Sequence, residues 1–353
     1  MISDTGIESL MDLESIRHRL LGDGHITAAA RVEGCWPIGE GQSNLTFCLD
    51  LGERKVVVRR PPPPPYHPSA HDVLREARIV EALAGTAVPV PRVLAVLDDR
   101  LDGVPVVVTE HLDGDVVTDE VPHRLGATPV AGLCRQLAEV LANVHAVPTV
   151  RFDGVIQRSA RPYLPRQLDR YGRLSTTSFA PHDRGLAASI EAQLRASMPQ
   201  PVEDVLVHGD LRLGNVLWAP TSSPLPKIGA VFDWELATLG DPDADLAYLL
   251  MTHPGADWPA NPISNMAAAI KGQPNLPSHD QLAAWYEHAS GRRSRRRDWF
   301  AAFVLWRASV GLEFFRQRHH RGEIDSNPWL ASLDAGIPDM LEQARRLLRE
   351  DSA

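Results

Sequence analysis

The chain has 353 residues, enough for two domains or one large two-lobed fold, and 44% of them are hydrophobic, which excludes a disordered protein. Its 45 acidic side chains against 36 basic ones give a formal charge of −9, which argues against nucleic acid or an anionic membrane as the main partner. Three cysteines, Cys35, Cys48 and Cys134, are too few and too scattered for a disulfide framework or a zinc site. No apolar stretch approaches the length of a membrane span, and the acidic, helix-patterned segment 1–20 lacks the regions of a signal peptide. A soluble, cytoplasmic protein is expected.

From Arg31 to about Glu110 the pattern is that of strands with one helix inserted. The runs VEGCWPIGEGQSNLTFCLD and ERKVVVRR flank the turn LGER and predict an antiparallel hairpin. PPPPPYHP then breaks the sheet, because proline neither donates to a ladder nor continues a helix easily. Ser69, with Asp72 three residues on, reads as a capping-box-like start for the helix AHDVLREARIVEALAG, which runs to Gly85. VPVPRVLAVLDD and VPVVVTEHL supply further strands. Thr128–Pro129 opens a long amphipathic helix, VAGLCRQLAEVLANVHAV. Short strands surround residues 205–233, and from DADLAYLL onward the chain is mostly helical. A small β-rich lobe with one helix, then a larger helical lobe, with the boundary near residue 113, is the predicted organisation. The basic run RRSRRR, residues 292–297, reads as a solvated turn between helices.

Three places carry chemistry. In VLVHGDLRLGNVLW, His208, Asp210 and Asn215 stand between two apolar runs at the spacing H-x-D-x-x-x-x-N. Turn chemistry explains such residues on their own; the spacing is also that of the kinase catalytic loop, in which the aspartate accepts a hydroxyl proton and the asparagine binds magnesium. Asp233 ends the run IGAVF, 23 residues after Asp210. It either caps the next turn or, with Asn215, offers the oxygen ligands that magnesium prefers. Upstream, Glu76 falls in the apolar stripe of Val73, Ile79, Val80 and Leu83. It either snorkels to the stripe's edge or pairs with Arg59 or Arg60 on the preceding strand, as strand lysine and helix glutamate pair in kinases.

On these residues the chain resembles the aminoglycoside phosphotransferase and choline-kinase-like superfamily, small-molecule kinases that share the protein-kinase fold. HGDLRLGN is similar to its catalytic motif, with glycine rather than arginine after the histidine, and VFDWE stands in place of D-F-G. GQSNLT, VVVRRPP and PSAHDVLRE look most like the branch found in some proteins fused to acyl-CoA dehydrogenases. The resemblance implies an α+β, two-lobed fold, with residues 1–113 as the nucleotide-binding lobe and 114–353 as the catalytic and substrate-binding lobe.

It also implies roles. Asp210 would orient or deprotonate the substrate hydroxyl and His208 would brace the loop, while Asn215 and Asp233 would hold Mg2+. The loop GEGQSN would cover the phosphates of ATP or GTP, with donors from Ser43 and Asn44 and close approach at Gly39 and Gly41. Glu110 to Leu112 would meet adenine. Aligning VVVR with V-A-I-K makes Arg59 the counterpart of the strand lysine, with Val57 on the same face over adenine and Arg60 at the sheet surface. Asp245 would hydrogen-bond the catalytic loop. His145 is expected to be structural, and Trp306, Phe314 and Phe315 to pack in the core more readily than to line a pocket. The implied activity is Mg-dependent transfer of a γ-phosphate to a hydroxyl of a small molecule, aminoglycoside-like or hydroxyacyl, with RRSRRR a candidate for meeting CoA phosphates. A pseudokinase-like protein that holds nucleotide without transfer is the alternative. The absence of H-R-D, D-F-G and A-P-E segments argues against a protein kinase.

Overall fold

The computed structural model describes residues 10–38, 44–62, 72–101, 104–126, 128–179, 181–222, 225–254, 261–323 and 327–351. They fall into two compact units. The first is Met1–Gly114 with Gly154–Ile156 and Gly229–Glu235; the second is Asp115–Asp153, Gln157–Ile228 and Leu236–Ala353. Two segments late in the chain thus belong with the first unit, which no linear division of the sequence provides for.

The first unit is built on a five-stranded antiparallel sheet in the order β1-β2-β3-β5-β4. Its strands are β1 (Gly34–Pro37), β2 (Leu45–Asp50), β3 (Lys55–Arg60), β4 (Val93–Leu101) and β5 (Val104–Glu110). Helix α1 (Leu13–Gly22) precedes the sheet and starts at Asp12, whose side chain accepts from Ser15 N at 3.0 Å. Helix α2 (Val73–Leu83) lies between β3 and β4. Its cap is Asp72, which accepts from Arg75 N at 2.8 Å; Ser69 lies outside the described residues. Gly85, with φ 73°, follows the helix end in the left-handed region.

Alternation along β3 divides its side chains between two cores. Val56 and Val58 join Phe47, Leu49, Val106 and Val108 against Ile16 and Leu20 of α1. On the other face Arg59 stands opposite Val107, which packs with Val73 and Ala77 of α2. Arg60 has the parity of Val56 and Val58, so it points to the side that α1 covers. It is 3% exposed, and its Nε donates to Pro61 O at 3.1 Å. The expectation of a surface position for Arg60 is therefore corrected: reading β3 alone misses that α1 closes that face.

The second unit contains α3 (Val130–Ala146), α4 (Tyr163–Ser178), α5 (Pro181–Ala196), α6 (Pro242–Thr252), α7 (His279–Ser290), α8 (Arg297–His320) and α9 (Pro328–Glu350). The short strands of this unit are β6 (Val205–Val207), β7 (Val216–Ala219) and β9 (Thr238–Gly240), while β8 (Lys227–Val231) ends in the segment 229–235 that belongs with the first unit. Helix α8 packs against α6 and α9, and α3 packs against α7. Trp306 is buried with its Nε1 donating to Ala187 O at 3.1 Å, which makes it a core residue as expected. Phe314 departs from that expectation at 53% exposed, while Phe315 lies edge-on to Trp329. No helix among the described residues is long and apolar enough to cross a membrane.

The basic run 292–297 does sit between α7 and α8, but it is not simply solvated. Arg295 forks onto Asp241 at 2.7 and 2.8 Å and reaches Asp243 at 2.6 Å. Arg296 pairs with Asp351 and Arg297 with Asp280. Cations that look redundant in sequence are matched to carboxylates distant in the chain. Asp241 and Asp243 are buried, so removing Arg295 strands two carboxylates. Arg295→Ala should destabilise the protein by about 3 kcal/mol in denaturant titration, whereas Arg293→Ala, at an exposed pair, should cost well under about 1 kcal/mol.

Candidate active site

In the first unit, the face of β3 that carries Val57 and Arg59 meets α2 and the segment 229–235. Arg59 Nη1 lies 3.2 Å from Glu76 Oε1, and its Nη2 lies 3.4 Å from Asp233 Oδ1. The fork is thus split between two carboxylates rather than closed on Glu76. Glu76 is buried at 6% exposure, and its Oε1 also accepts from Trp234 N at 3.3 Å. It does not snorkel. Among the described residues, Arg59 Nε and Glu76 Oε2 are buried without a hydrogen-bond partner.

Burial pushes the Glu76 carboxyl up to about 7. Arg59 draws it down, but Asp233 and Glu235 oppose that pull. Asp233 itself has φ 65°, a left-handed conformation uncommon for a residue with a side chain, and it keeps 28% of that side chain exposed.

In the second unit, β6 and β9 pair with Val205 opposite Gly240 and Val207 opposite Thr238. The ladder sets the loop that follows β6 beside the start of α6, which follows β9. Asp245, in the first turn of α6, is fully buried and accepts from His208 N at 2.7 Å and Gly209 N at 2.8 Å. Burial alone would raise its carboxyl. The hydrogen bond from His145 and those from the loop outweigh burial and hold it below the usual carboxylate range.

His145 Nε2 lies 3.2 Å from Asp245 Oδ2, and its Nδ1 lies 2.8 Å from Tyr286 Oη. It is the satisfied structural histidine that the sequence suggests, with the added task of supporting Asp245. Gly209 has φ 86°, and a Cβ there would lie 3.1 Å from Leu236 Cβ. Both facts disfavour, at this position, the arginine that kinases place after this histidine.

Within the loop, His208 is fully buried and its Nδ1 accepts from Asp210 N at 3.2 Å. Asn215 Nδ2 donates to both the backbone O and the Oδ2 of Asp210, each at 2.8 Å. The other carboxylate oxygen, Oδ1, accepts from Tyr248 Oη at 2.5 Å and lies 3.5 Å from Arg212 Nε. Burial and the neighbouring Asp210 raise the Tyr248 phenol well above its ordinary value, so it stays a donor. Tyr248 and Arg212 were not singled out from sequence. Tyr248 stands three residues after Asp245 on one helix, a spacing that puts both on one face, and Asp245 was the available signal for it.

The remaining expected residues are less gathered. Ser43, with Gly39 and Gly41, lies outside the described residues. Asn44 is 2% exposed, and among the described residues neither atom of its side-chain amide has a partner. Val57 is half-buried on the Arg59 face. Glu110 is committed to Arg92, donating from N to Arg92 O at 3.0 Å and accepting at Oε1 from Arg92 N at 2.8 Å. Its N–H is therefore not available for adenine. Leu112, half-buried, follows the end of β5.

The raised Glu76 carboxyl has a consequence for stability. A carboxyl of 4.5 in the unfolded chain and about 7 in the folded one favours folding most below pH 4.5, and that contribution is lost as pH rises through about 7. In thermal melts from pH 5 to pH 8, Glu76→Gln should flatten this fall relative to the parent protein. Parallel curves for the two proteins would place Glu76 in a more polar setting than the one described.

Residues 35–285 match the phosphotransferase enzyme family, APH. Among curated proteins, the chain is 33% identical over 218 residues to acyl-CoA dehydrogenase family member 10 of Mus musculus, covering 60% of this chain and 20% of that protein. It is 28% identical over 264 residues to acyl-CoA dehydrogenase family member 11 of Homo sapiens, covering 73% of this chain and 33% of that protein. The chain thus spans only a fifth to a third of the length of these relatives.

Among solved structures, a candidate aminoglycoside phosphotransferase from Ralstonia eutropha JMP134 superposes with a TM-score of 0.75 at 25% identity, over 96% of this chain and 98% of that one. A thermostable mutant of aminoglycoside phosphotransferase APH(4)-Ia, in ternary complex with AMP-PNP and hygromycin B, gives a TM-score of 0.59 at 18% identity, over 95% and 98%. The fold is accordingly the α+β, two-lobed, protein-kinase-like fold. With some 250 residues matched and the two motif regions inside that span, the chain belongs to the phosphotransferase enzyme family.

Proposed function

We propose that the chain transfers the γ-phosphate of ATP or GTP to a hydroxyl of a small molecule, with Asp210 as the base. The observation that carries this reading is the Asp210 carboxylate, fixed at one oxygen by Asn215 and at the other by Tyr248, on a loop anchored by Asp245. A carboxylate so held can take one aim only. Asp210 orients the acceptor hydroxyl and takes its proton as the oxygen bonds to the γ-phosphorus and the nucleoside diphosphate departs. His208 braces the loop from beneath through the Asp210 N–H.

Arg59, held by Glu76 and Asp233, contacts the nucleotide phosphates through the fork N–H groups that these two carboxylates leave free. Val57 covers the base, and Asn44 offers its buried amide to the phosphates. Because the Glu110 N–H is committed to Arg92, the backbone contact of Glu110 to the base falls to its carbonyl, with Leu112 and its neighbours completing the recognition.

The donor set fits Mg2+. Asn215 presents its nitrogen to Asp210, which leaves oxygen as the other end of the amide, and Asp233 is a partly exposed carboxylate; both are hard oxygen ligands. With only these two protein ligands, phosphates and water would complete the shell of the ion. When bound, the ion supplies charge neutralisation on the phosphates. A structural neighbour binds AMP-PNP and another is a GDP complex, so both purines are in play. The acceptor is a small hydroxylated compound, aminoglycoside-like as in those neighbours or hydroxyacyl as the acyl-CoA dehydrogenase relatives suggest.

Asp210→Asn should lower ADP release from Mg-ATP with an acceptor by about 10²–10⁴-fold while leaving nucleotide binding and the melting temperature nearly unchanged. Near-normal turnover in the folded variant would remove Asp210 from the chemistry. Asp233→Ala should weaken binding of Mg-ATP much more than binding of metal-free ATP, measured by calorimetry with and without magnesium. Equal losses in the two titrations would assign Asp233 a structural task.

A further inference from the structure

Arg307, on α8 of the second unit, differs from the other well-anchored arginines of that unit. Arg295 and Arg316 are each matched to two carboxylates, Asp241 with Asp243 and Asp183 with Glu313. Half-buried Arg307 has no carboxylate within ion-pair distance among the described residues. Its Nη1 donates to Tyr163 Oη at 3.2 Å, and its guanidinium carbon lies 5.9 Å from the ring centre of Tyr248 and 5.7 Å from that of Phe303. Asp245 acts on it at longer range, but that carboxylate is occupied by His208, Gly209 and His145.

A guanidinium carries five N–H donors; one goes to Tyr163, and the others, on a half-buried side chain, are left to solvent or to a bound anion. The support is nonetheless built. Tyr163 is 3% exposed, and its ring lies so close to Gly240 that any side chain at that position would collide with it. The ring that Arg307 faces is that of Tyr248, whose hydroxyl is on Asp210 Oδ1. One phenol therefore links the cation to the carboxylate assigned as base.

We propose that Arg307 receives an anionic group of the acceptor, a carboxylate or a phosphate, while the acceptor's hydroxyl meets Asp210. This rests on the phosphotransferase reading and narrows it. The acceptor is a hydroxy acid or a hydroxylated phosphate ester, and polycations are disfavoured because Arg307 repels them. A charge-assisted hydrogen bond to a partly desolvated guanidinium corresponds to about 10- to 100-fold in affinity.

The test is binding of matched pairs to the full chain with Mg-AMP-PNP, followed by ligand-observed NMR titration: 3-hydroxypropanoate against its amide, glycerol 3-phosphate against glycerol, and kanamycin. The charged member of at least one pair should bind about 10-fold or more tightly than its neutral partner, and which pair responds tells carboxylate from phosphate. Arg307→Met should erase that difference with AMP-PNP affinity unchanged, and Arg307→Lys should keep part of it. Equal binding within both pairs, tighter binding of kanamycin, or an unaltered preference in a folded Arg307→Met would each overturn the proposal. Asp210→Asn separates the two readings: it should lower ADP release by about 10²–10⁴-fold yet keep the preference for the anion. Retained ADP release in that variant would count against Asp210 as base and leave Arg307 standing.

Discussion

The second unit is organised around a single carboxylate that is in contact with no solvent. Asp245 receives two consecutive backbone N–H groups of the loop after β6, and His145 holds it from the other side. A buried carboxylate is tolerable only if its lone pairs are taken up, and here loop geometry is what takes them up. The same arrangement that satisfies Asp245 therefore fixes where Asp210 begins. From that fixed point Asn215 and Tyr248 need to supply only one hydrogen bond each, to Oδ2 and Oδ1 of the Asp210 carboxylate respectively.

The first unit solves the opposite problem. There a cation is held between two acids that repel one another, and burial leaves Glu76 reluctant to ionise. Arg59 gains from both carboxylates, while Glu76 is balanced between desolvation and attraction. Such a cluster is sensitive to any further charge brought near it, which the well-satisfied Asp245 site is not. The two clusters thus differ in kind, one fully satisfied and the other poised.

The sequence spoke clearly where several weak signals had to agree. Spacing from His208 to Asn215, the acid at the end of IGAVF and the glutamate inside an apolar stripe each have an ordinary explanation, yet together they lead to the fold and to the residues now found in contact. Period-two alternation correctly put Arg59 and Arg60 on opposite faces. It could not tell that α1 covers the second face, because that depends on packing of a helix more than 30 residues upstream. Tyr248 and Arg307 were illegible for a related reason. Both look like core-helix residues by pattern, and only the pairing of β6 with β9 and the packing of α6 on α8 give them polar tasks. The matched cations of 292–297 were hidden in the same way, since their partners lie from 17 to 55 residues away.

The segment 229–235 gives the first unit a debt to a distant part of the chain. Arg59 reaches across 174 positions to Asp233, and Glu76 across 158 to the Trp234 N–H. During synthesis the sheet and both of its helices emerge long before these partners exist. Until then Arg59 and Glu76 lack the second acid and the backbone donor that complete the cluster. The unit is thus topologically early and chemically late, closing only after a second body of helices has begun to appear. A fragment ending at Gly114 would carry the whole sheet and still lack the piece that finishes it.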